Sequence, residues 1–385
     1  MTEWKEYKLG EIVQSISDTY KFVDNEKVVF LNTSDILNGK FLNDCLVSAA
    51  TLPGQAKKKI QKGDILFSEI RPANKRFAIV DFESSNYVVS TKLMVLRCNE
   101  QIYNKFLYIY LTSYEVLEYL QMIAEDRSGT FPQITFDNIA NMSISLPPLP
   151  EQIRIASILS SLDDKIDLLH RENKTLEAMA ETLFRQWFIE EAKEDWEEGT
   201  IADLAEFNPT RKLVKGSIAP FLEMSNLSTS TYAPTYWYDR AYNSGTKFEN
   251  GDTLLARITP CLENGKTAYV DFLCDNQVGW GSTEFIVMHS KLGLHPFFTY
   301  VIAKYQDFRD FAESCMSGSS GRQRVDVDNL RKYPMAIPDK VTVELFNDRI
   351  ENMVSKMHNN NKQIQNLIQQ RDSLLPKLMS GEVKI

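Results

Sequence analysis

The sequence predicts an α+β protein in which two similar mixed α/β domains are separated by two long helices that pair as an antiparallel coiled coil. Three observations support this prediction: an internal two-fold repeat, short β-type apolar runs in each half, and two long segments with apolar residues spaced four and three apart. The chain of 385 residues is long enough for several domains. Its content of 43% hydrophobic and 25% charged residues is ordinary for a folded protein.

The repeat is colinear over most of the chain, and the offset between matching segments grows only from 188 to 191 residues. The matching segments, each followed by its counterpart, are Gly63–Pro72 and Gly251–Pro260, Ala78–Phe82 and Ala268–Phe272, and Asp137–Ile139 and Asp328–Leu330. The repeat predicts a first mixed domain at 1–150, a long helix at 151–195, a second mixed domain at 196–340, and a second long helix with a tail at 341–385.

Each mixed domain carries strand-like runs followed by a helix-like segment. The predicted strands include Val28–Leu31, Ile65–Phe67, Tyr87–Ser90, Thr253–Leu255 and Glu284–Met288. One continuous helix is predicted over 102–125 and another over 297–314. Pro147–Pro150 closes the first domain and opens its long helix, because proline is tolerated at helix starts, and Pro338 has the same place in the second half.

Both long segments show an unbroken alternation of four-residue and three-residue steps, the pattern of a coiled-coil seam. In the first helix the seam is Ile155, Leu159, Leu162, Ile166, Leu169, Asn173, Leu176, Ala180, Leu183 and Trp187. In the second helix it is Phe346, Ile350, Met353, Met357, Asn360, Ile364, Leu367, Arg371, Leu374 and Leu378. The alternative is that each helix packs separately on its own domain.

Antiparallel pairing with flush ends brings the seam asparagines Asn173 and Asn360 together. It also places Trp187 near Phe346, and Ile155 near Leu378. A parallel arrangement would bury two unmatched amides, so the asparagine pair favours the antiparallel direction and fixes the register. The seam from Ile155 to Trp187 would be about 48 Å long at 1.5 Å per residue.

The motifs of common enzyme classes are absent from the sequence. Gly265–Thr267 resembles the end of a phosphate-binding loop, but Pro260 stands where that loop needs glycine. The four histidines form no metal-binding spacing, and two of them, His170 and His358, are predicted to be solvated on the long helices. We therefore expect a chain that has no catalytic residues, binds no metal and holds no cofactor of its own.

The cysteines and the N-terminal residues favour the cytoplasm. The five cysteines are odd in number and none are spaced as CxxC, which fits reduced thiols. The first residues lack a basic segment followed by an apolar one, and no apolar run reaches the roughly 18 residues of a membrane helix. No membrane partner is expected.

The net charge of −9 does not exclude a nucleic-acid partner, because the acidity is concentrated in one segment. Residues 151–199 carry 6 basic and 13 acidic residues, while residues 1–150 carry 16 and 18 and residues 200–340 carry 15 and 16. Both mixed domains are therefore nearly neutral and free to carry basic patches.

One lysine run and four loops in the two mixed domains have residues suited to DNA. Arginine can bind guanine edges in a bidentate manner, lysine can meet phosphate, and glycine and serine permit close backbone approach. The candidates in the first domain are Lys57, Lys58, Lys59, Arg71, Lys75, Arg76, Ser128, Thr130 and Gln133. Those in the second domain are Thr259, Asn264, Lys266, Ser319, Ser320, Arg322, Gln323 and Arg324. The alternatives are a solvated face for the lysine run and ordinary surface turns for the loops.

Several motifs resemble those of specificity subunits of type I restriction-modification systems. Pro147–Ala156, with the sequence PPLPEQIRIA, resembles the segment that opens the first long helix of that family. The Gly-Asp-Ile-Leu run at Gly63, the Ser-Gly turn at Ser128 and the ending Leu374–Glu382 are similar as well. The second helix departs from the pattern, since Pro338–Thr342 replaces the Pro-Glu-Gln motif.

The resemblance implies a non-catalytic DNA-recognition subunit. Each mixed domain would be a target-recognition domain that reads one half of a split, asymmetric sequence in double-stranded DNA, and the helices would set the gap. Two DNA-methyltransferase subunits carrying S-adenosylmethionine would dock on the assembly. A restriction and translocase subunit that uses ATP and Mg would join them. The alternatives are a stand-alone DNA-modifying or DNA-cutting enzyme with an unrecognised site, and a coiled-coil scaffold without a DNA role.

Overall fold

The computed structural model describes residues 4–126, 132–319 and 321–383. It divides into two compact units, Met1–Asp164 with Leu367–Ile385, and Lys165–Asn366. Each unit contains one mixed domain and parts of both long helices. The two units are described separately below.

The first unit contains two four-stranded sheets, with strand orders β2-β11-β8-β9 and β6-β3-β10-β7, and the terminal pair β1-β12. The strand β10 runs parallel to β3, and all other pairs are antiparallel. The strands are β1 (Lys5–Lys8), β2 (Val13–Ile16), β3 (Lys27–Leu31), β4 (Ile36–Leu37), β5 (Lys40–Phe41), β6 (Leu46–Ser48), β7 (Ala56–Lys59), β8 (Ile65–Ser68), β9 (Phe77–Ile79), β10 (Tyr87–Ser90), β11 (Leu93–Cys98) and β12 (Ser143–Leu146). The helices before the long one are α1 (Leu9–Ile12), α2 (Asn104–Leu111), α3 (Tyr114–Asp126) and α4 (Phe136–Ala140).

The second unit has the same sheet topology, with strand orders β14-β21-β18-β19 and β16-β15-β20-β17 and the pair β13-β24. Here β15 and β20 are the parallel pair, as β3 and β10 are in the first unit. The strands are β13 (Glu197–Thr200), β14 (Ala205–Phe207), β15 (Ile218–Leu222), β16 (Tyr238–Ala241), β17 (Thr246–Phe248), β18 (Thr253–Ala256), β19 (Thr267–Tyr269), β20 (Gly279–Gly281), β21 (Phe285–Ser290), β22 (Met316–Ser317), β23 (Arg324–Val325) and β24 (Pro334–Ile337). Its short helices are α6 (Ile201–Leu204), α7 (Phe298–Lys304), α8 (Gln306–Ser314) and α9 (Val327–Leu330). The predicted internal repeat is confirmed.

The repeated Gly-Asp motif is a structural turn in both units. Gly63 and Gly251 have φ of 95° and 90°, a conformation that favours glycine. The buried carboxylate of Asp64 accepts two hydrogen bonds of 2.8 Å from Arg97, and that of Asp252 accepts one of 2.9 Å from Arg211. The motif thus holds the start of β8 and β18. Asp252 also lies 2.8 Å from Nδ1 of His289, which has on β21 the place of Arg97 on β11, whereas Arg211 comes from a different segment.

The single helices predicted over 102–125 and 297–314 are wrong in their continuity, because each is two helices. The first breaks between α2 and α3 at Thr112, whose hydroxyl donates to the carbonyl of Tyr108 at 2.8 Å. The second breaks at Tyr305, which is extended with φ of −64° and ψ of 130°. A break lets both pieces turn an apolar face to the same core, as the buried Phe298 and Phe308 do.

The two long helices, α5 (Leu149–Phe184) and α10 (Lys340–Met379), pair antiparallel within each unit. In the first unit, Arg371 donates to Asp163 at 2.9 Å, and Ile155 shares a buried cluster with Leu378. In the second unit, Asn360 donates from Nδ2 to Oδ1 of Asn173 at 2.8 Å. The predicted asparagine pairing is therefore confirmed, and the alternative of separately packed helices is wrong.

Six of the ten predicted seam residues of α10 are buried and the other four are partly buried. Near the end of α5 the buried face leaves the predicted seam. The helix continues beyond Phe184 as a π-helical turn over Arg185–Glu190. The fully buried side chains there are Phe184 and Phe188, while the predicted seam residues Leu183 and Trp187 are only partly buried. The ring of Phe188 lies 4.9 Å from that of Phe346, so the predicted contact of Trp187 with Phe346 is made by its neighbour. A straight helix gains about 20° per heptad on a strict seven-residue repeat, and the π turn adds a further shift.

Candidate nucleic-acid interface

The first candidate loop of the first unit follows β8 and contains a 3₁₀ turn over Pro72–Asn74. Its flanking residues Arg71 and Lys75 are exposed and have left-handed φ values of 43° and 54°. The backbone N–H of Ala73 is held by the side chain of Gln121 at 3.0 Å. A tight turn of this kind presents two cationic side chains on a fixed backbone, which is suitable for phosphate or base contacts.

The third cation of that loop has a structural role in this structure. Nη1 of Arg76 donates to the carbonyl oxygens of Ser34 and Ile36, at 3.0 Å each. These bonds connect the loop to the segment around β4. Nη1 of Arg76 is thus engaged with the backbone, and the contact of Arg76 with DNA stays a prediction.

The lysine run occupies strand β7, where side chains alternate between two faces. Lys57 and Lys59 are exposed. Lys58 points the other way, is half-buried, and donates to the carbonyl of Leu93 at 2.8 Å. Burial lowers the pKa of Lys58, with the nearby Glu69 acting in the opposite direction. Only Lys57 and Lys59 keep the exposure that was expected of all three.

The second candidate loop of the first unit is described only at its end. Gln133 is half-buried and forms an isolated β-bridge with Ile70. The other two candidates, Ser128 and Thr130, lie outside the described residues. The bridge with Ile70 places Gln133 beside the loop that carries Arg71.

The matching loop after β18 in the second unit spans 259–266. Asn264 is exposed, and Thr259 accepts a hydrogen bond from the backbone N–H of Gln323 on its Oγ1 at 3.2 Å. Lys266 donates from Nζ to the carbonyl of Met224 at 2.9 Å. Lys266 therefore stabilises the loop, as Arg76 does in the first unit, and its contact with DNA stays a prediction.

The Gly-Ser-rich candidate segment of the second unit lies between the short strands β22 and β23. Ser319 and Arg322 are exposed there, and Gln323 is half-buried. Ser320 lies outside the described residues. The bridge between Ile258 and Arg324 brings this hairpin beside the 259–266 loop, so the structure joins the two candidate loops of the second unit.

Arg324 is held by a carboxylate that the sequence reasoning did not single out. Its Nε and Nη2 donate to Glu284 at distances between 2.6 and 3.0 Å. The hydrogen bonds from Arg324 lower the pKa of Glu284, and the same pairing raises the pKa of Arg324. A charge comparison of the two repeats could have found Glu284, because its counterpart at the same place in the first half is Lys92.

The structure also corrects the expectation for one histidine. His170 is exposed, but His358 is half-buried, with Nδ1 3.0 Å from Oδ2 of Asp271. The sequence spacing could not show this partner, because Asp271 follows β19 in the mixed domain.

Within residues 4–126, 132–319 and 321–383, no three His, Cys, Asp or Glu side chains are grouped as a metal site would require. None of the helices in these ranges combines the length and apolar character needed to span a bilayer.

A family model described as the type I restriction modification DNA specificity domain matches the chain twice, over residues 1–178 and 193–370. These two matches fall on the two halves of the internal repeat. Together they cover most of the chain.

Curated relatives are specificity subunits by name. The chain is 51% identical over 191 residues to the type I restriction enzyme HindI specificity subunit of Haemophilus influenzae, a match covering 49% of this chain and 42% of that protein. It is 24% identical over 316 residues to the MjaIX specificity subunit of Methanocaldococcus jannaschii, covering 74% of this chain and 70% of that protein. The HindI match thus spans less than half of that relative's length.

A solved structure shows the same fold. The crystal structure of the type I restriction-modification system S subunit from M. genitalium matches with a TM-score of 0.56 and 14% identity, covering 98% of this chain and 96% of that chain. The fold likeness and the two-fold family match agree with the resemblance of the motifs. The chain belongs to the family of type I restriction-modification DNA specificity subunits.

Proposed function

We propose that this chain selects the DNA sequence for a type I restriction-modification complex, with each mixed domain reading one half of a split, asymmetric target in double-stranded DNA. The observation that carries the proposal is the duplication: both units have the same strand orders and the same paired loops, but different side chains on those loops. Equivalent scaffolds with different side chains are what two unlike half-sites require.

The remaining roles belong to partners. Two DNA-methyltransferase subunits would bind S-adenosylmethionine and modify an adenine in each half-site, and a restriction and translocase subunit would use ATP and Mg. This chain would be the non-catalytic recognition subunit of a cytoplasmic complex. The family match and the named relatives support this assignment.

The test is to express the full chain with its methyltransferase subunits and to sequence methylated adenines in the host DNA. We expect one split motif with two different halves and a fixed gap. Methylation or cleavage of DNA by the purified chain alone would instead support the stand-alone enzyme. No salt-dependent DNA binding, even with the methyltransferase subunits, would support the scaffold alternative.

The helices are proposed to set the gap between half-sites. One heptad of α-helix is about 10 Å long, which is about three base pairs of DNA. Removal of one matched heptad from α5 and α10 should therefore shorten the methylated motif's gap by about three base pairs. An active complex with an unchanged gap would contradict this part of the proposal.

A further inference from the structure

The backbone beside the paired loops of the first unit forms a small three-segment junction. The N–H of Glu69 donates to the carbonyl of Lys92 at 3.2 Å, and the carbonyl of Glu69 accepts from the N–H of Ile134 at 2.9 Å. The bridge between Ile70 and Gln133 completes the junction. Three residues distant in sequence are thus held at one place: Glu69, Lys92 and Gln133.

The second unit repeats this junction bond for bond. The N–H of Arg257 donates to the carbonyl of Glu284 at 3.0 Å, and the carbonyl of Arg257 accepts from the N–H of Val325 at 2.8 Å. The bridge between Ile258 and Arg324 takes the place of the bridge in the first unit.

A serine supports the junction in the same way in both units. The N–H of Lys92 donates to Oγ of Ser90 at 3.3 Å, and the N–H of Glu284 donates to Oγ of Ser282 at 3.1 Å. The backbone scaffold is therefore the same in both units down to a side-chain bond. We call the three residues on each scaffold the triad: Glu69, Lys92 and Gln133 in the first unit, and Arg257, Glu284 and Arg324 in the second.

The side chains on this shared scaffold differ in charge at every position. The acidic Glu69 corresponds to the basic Arg257, the basic Lys92 to the acidic Glu284, and the neutral Gln133 to the basic Arg324. Each unit keeps one acid–base pair on the scaffold but presents a different set of charged and polar groups around it. A surface that reads a different sequence in each half-site requires such a difference.

The triads remain accessible to a ligand. Arg324 and Lys92 have 44% and 47% of their side chains exposed, and their carboxylate partners Glu284 and Glu69 have 23% and 26%. In the second unit, Arg257 and Arg324 also line one surface groove, where the half-buried Arg257 donates from Nη2 to the carbonyl of Val325 at 3.0 Å.

The ion pair in the second unit orients a recognition group. Glu284 takes the edge of the Arg324 guanidinium formed by Nε and Nη2. A guanidinium has five N–H donors in a fixed fork, so the edge formed by Nη1 and Nη2 still has a parallel pair of donors outside this ion pair. That pair matches the two acceptors, N7 and O6, that guanine presents in the major groove.

The first unit has different chemistry at the same place. The Nζ of Lys92 is 4.0 Å from a carboxylate oxygen of Glu69, a looser pairing than the bidentate one of the second unit. A glutamate can accept from the amino group of cytosine, and a glutamine can bind adenine in a bidentate manner.

We propose that the two triads are the equivalent base-reading positions of this protein: Arg324, oriented by Glu284, reads a guanine in one half-site, and Glu69 and Gln133 read amino-bearing bases in the other. This inference rests on the proposed function and names its specificity determinants. Glu284 is a positioning residue, since it acts through Arg324.

The experiment transfers the triad of the first unit to the second. The full chain with Arg257→Glu, Glu284→Lys and Arg324→Gln is expressed with its methyltransferase subunits, and methylated adenines are sequenced. We expect the bases of one half-site to change and those of the other half-site to stay as in the parent chain. An unchanged motif would overturn the assignment.

If the triple variant does not assemble, a single variant tests the proposed role of Arg324. Arg324→Gln should lower the preference for guanine at one position of one half-site by about tenfold to a hundredfold. The matched control is Arg331→Gln, since Arg331 is in the same unit, has 42% of its side chain exposed and pairs with Asp328 at 3.0 Å. A structural role would give both variants the same motif and only a change in melting temperature, and that result would overturn the proposal.

Failure of the underlying function has a different signature. If the parent chain produces no split methylation motif, the proposed function fails, and the triad assignment fails with it. If the parent chain produces the motif and Arg324→Gln leaves every base preference unchanged, only the triad assignment fails.

Discussion

Asn360 and Asn173 form a buried amide pair between the two long helices, with Nδ2 of Asn360 2.8 Å from Oδ1 of Asn173. The two residues are 0% and 2% exposed. Nδ2 of Asn173 donates onward to Asn361 at 2.9 Å, and Nδ2 of Asn360 also donates to Glu172 at 3.0 Å. The pair is therefore the centre of a polar network in a seam whose other residues, apart from Arg371, are apolar. A buried amide there is costly unless its partner is in register.

We predict that Asn173→Leu or Asn360→Leu alone destabilises the chain by about 1–3 kcal/mol, because each leaves a buried amide short of a partner. The double variant should lose less stability than the two single variants together, because it removes both polar groups. Urea unfolding of the four proteins gives the coupling energy, with the exposed Asn352→Leu as control. Additive losses would mean that the two amides are not energetically coupled.

The register shift at the end of α5 gives a second prediction. Phe188 is 2% exposed and its ring lies 4.9 Å from that of Phe346, whereas Trp187 is only partly buried. Phe188→Ala should therefore cost about 3–5 kcal/mol of unfolding free energy, and Trp187→Ala clearly less. The heptad pattern alone predicts the reverse order, so thermal unfolding of the two variants distinguishes the observed register from the predicted heptad.

The seam shows what sequence periodicity can and cannot determine. The steps of four and three predicted the buried positions of α10 and the meeting of Asn173 with Asn360, because a polar residue in an apolar stripe restricts the register strongly. The same steps placed Trp187 where Phe188 lies. A π turn depends on how local aromatic residues pack against the domain, and periodicity contains no information about that.

The loops that carry the candidate residues were predicted from the sequence, but the hydrogen-bond partners of their side chains were not. Repeated motifs located both loop pairs, and the structure joins the loops within the second unit. Arg76 and Lys266 donate to carbonyls about 40 residues away in sequence, so their role could not be read locally. Glu284 was missed because a lone carboxylate at a strand start gives no signal until it is compared with Lys92.

The buried ion pair of the first unit should be needed for stability. The Asp64 side chain is 1% exposed and Arg97 is its ionic partner. Arg97→Met leaves a buried carboxylate without its counter-charge and should cost about 3–5 kcal/mol, part of which Asp64→Asn should restore in the double variant. Arg171→Met is the control, because Arg171 and Asp167 are 69% and 39% exposed and such pairs contribute about 0–1 kcal/mol. Urea unfolding provides the measurement, and equal losses in Arg97→Met and Arg171→Met would contradict the assignment.

The two exposed loop arginines should affect separate half-sites. Arg71 lies on the loop after β8 in the first unit, Arg322 lies between β22 and β23 in the second unit, and both are exposed. Each change to alanine should weaken discrimination by about 1–3 kcal/mol in one half-site only, if it contacts a base. Methylation sequencing of the assembled complex would show which half is relaxed. Equal losses at both halves for either variant would indicate a defect in folding or assembly instead.

Glu177 provides a pH-dependent term in the stability of the second unit. It is 6% exposed, and its carboxylate accepts from the backbone N–H of Tyr232 at 3.0 Å and from the hydroxyl of Tyr300 at 2.9 Å. Burial raises the pKa of Glu177 from 4.5 to about 7, and the negative charge of Glu181 also raises it. The two hydrogen bonds and the positive charge of Lys304 lower this pKa but do not outweigh burial. The folded chain thus keeps a proton that the unfolded chain has already lost.

The sign of the effect follows from linkage. Between pH 4.5 and about 7 the folded state binds the extra proton, so the free energy of unfolding falls as the pH rises through this window, by at most about 3 kcal/mol. Glu177→Gln places a neutral amide at this position. The free energy of unfolding of the variant should therefore exceed that of the parent chain only slightly at pH 4.5, and by about 3 kcal/mol at pH 8. Urea unfolding of the parent chain, Glu177→Gln and the exposed control Glu194→Gln at several pH values makes the comparison. If the difference between parent chain and Glu177→Gln stayed constant with pH, Glu177 would not be the titrating group.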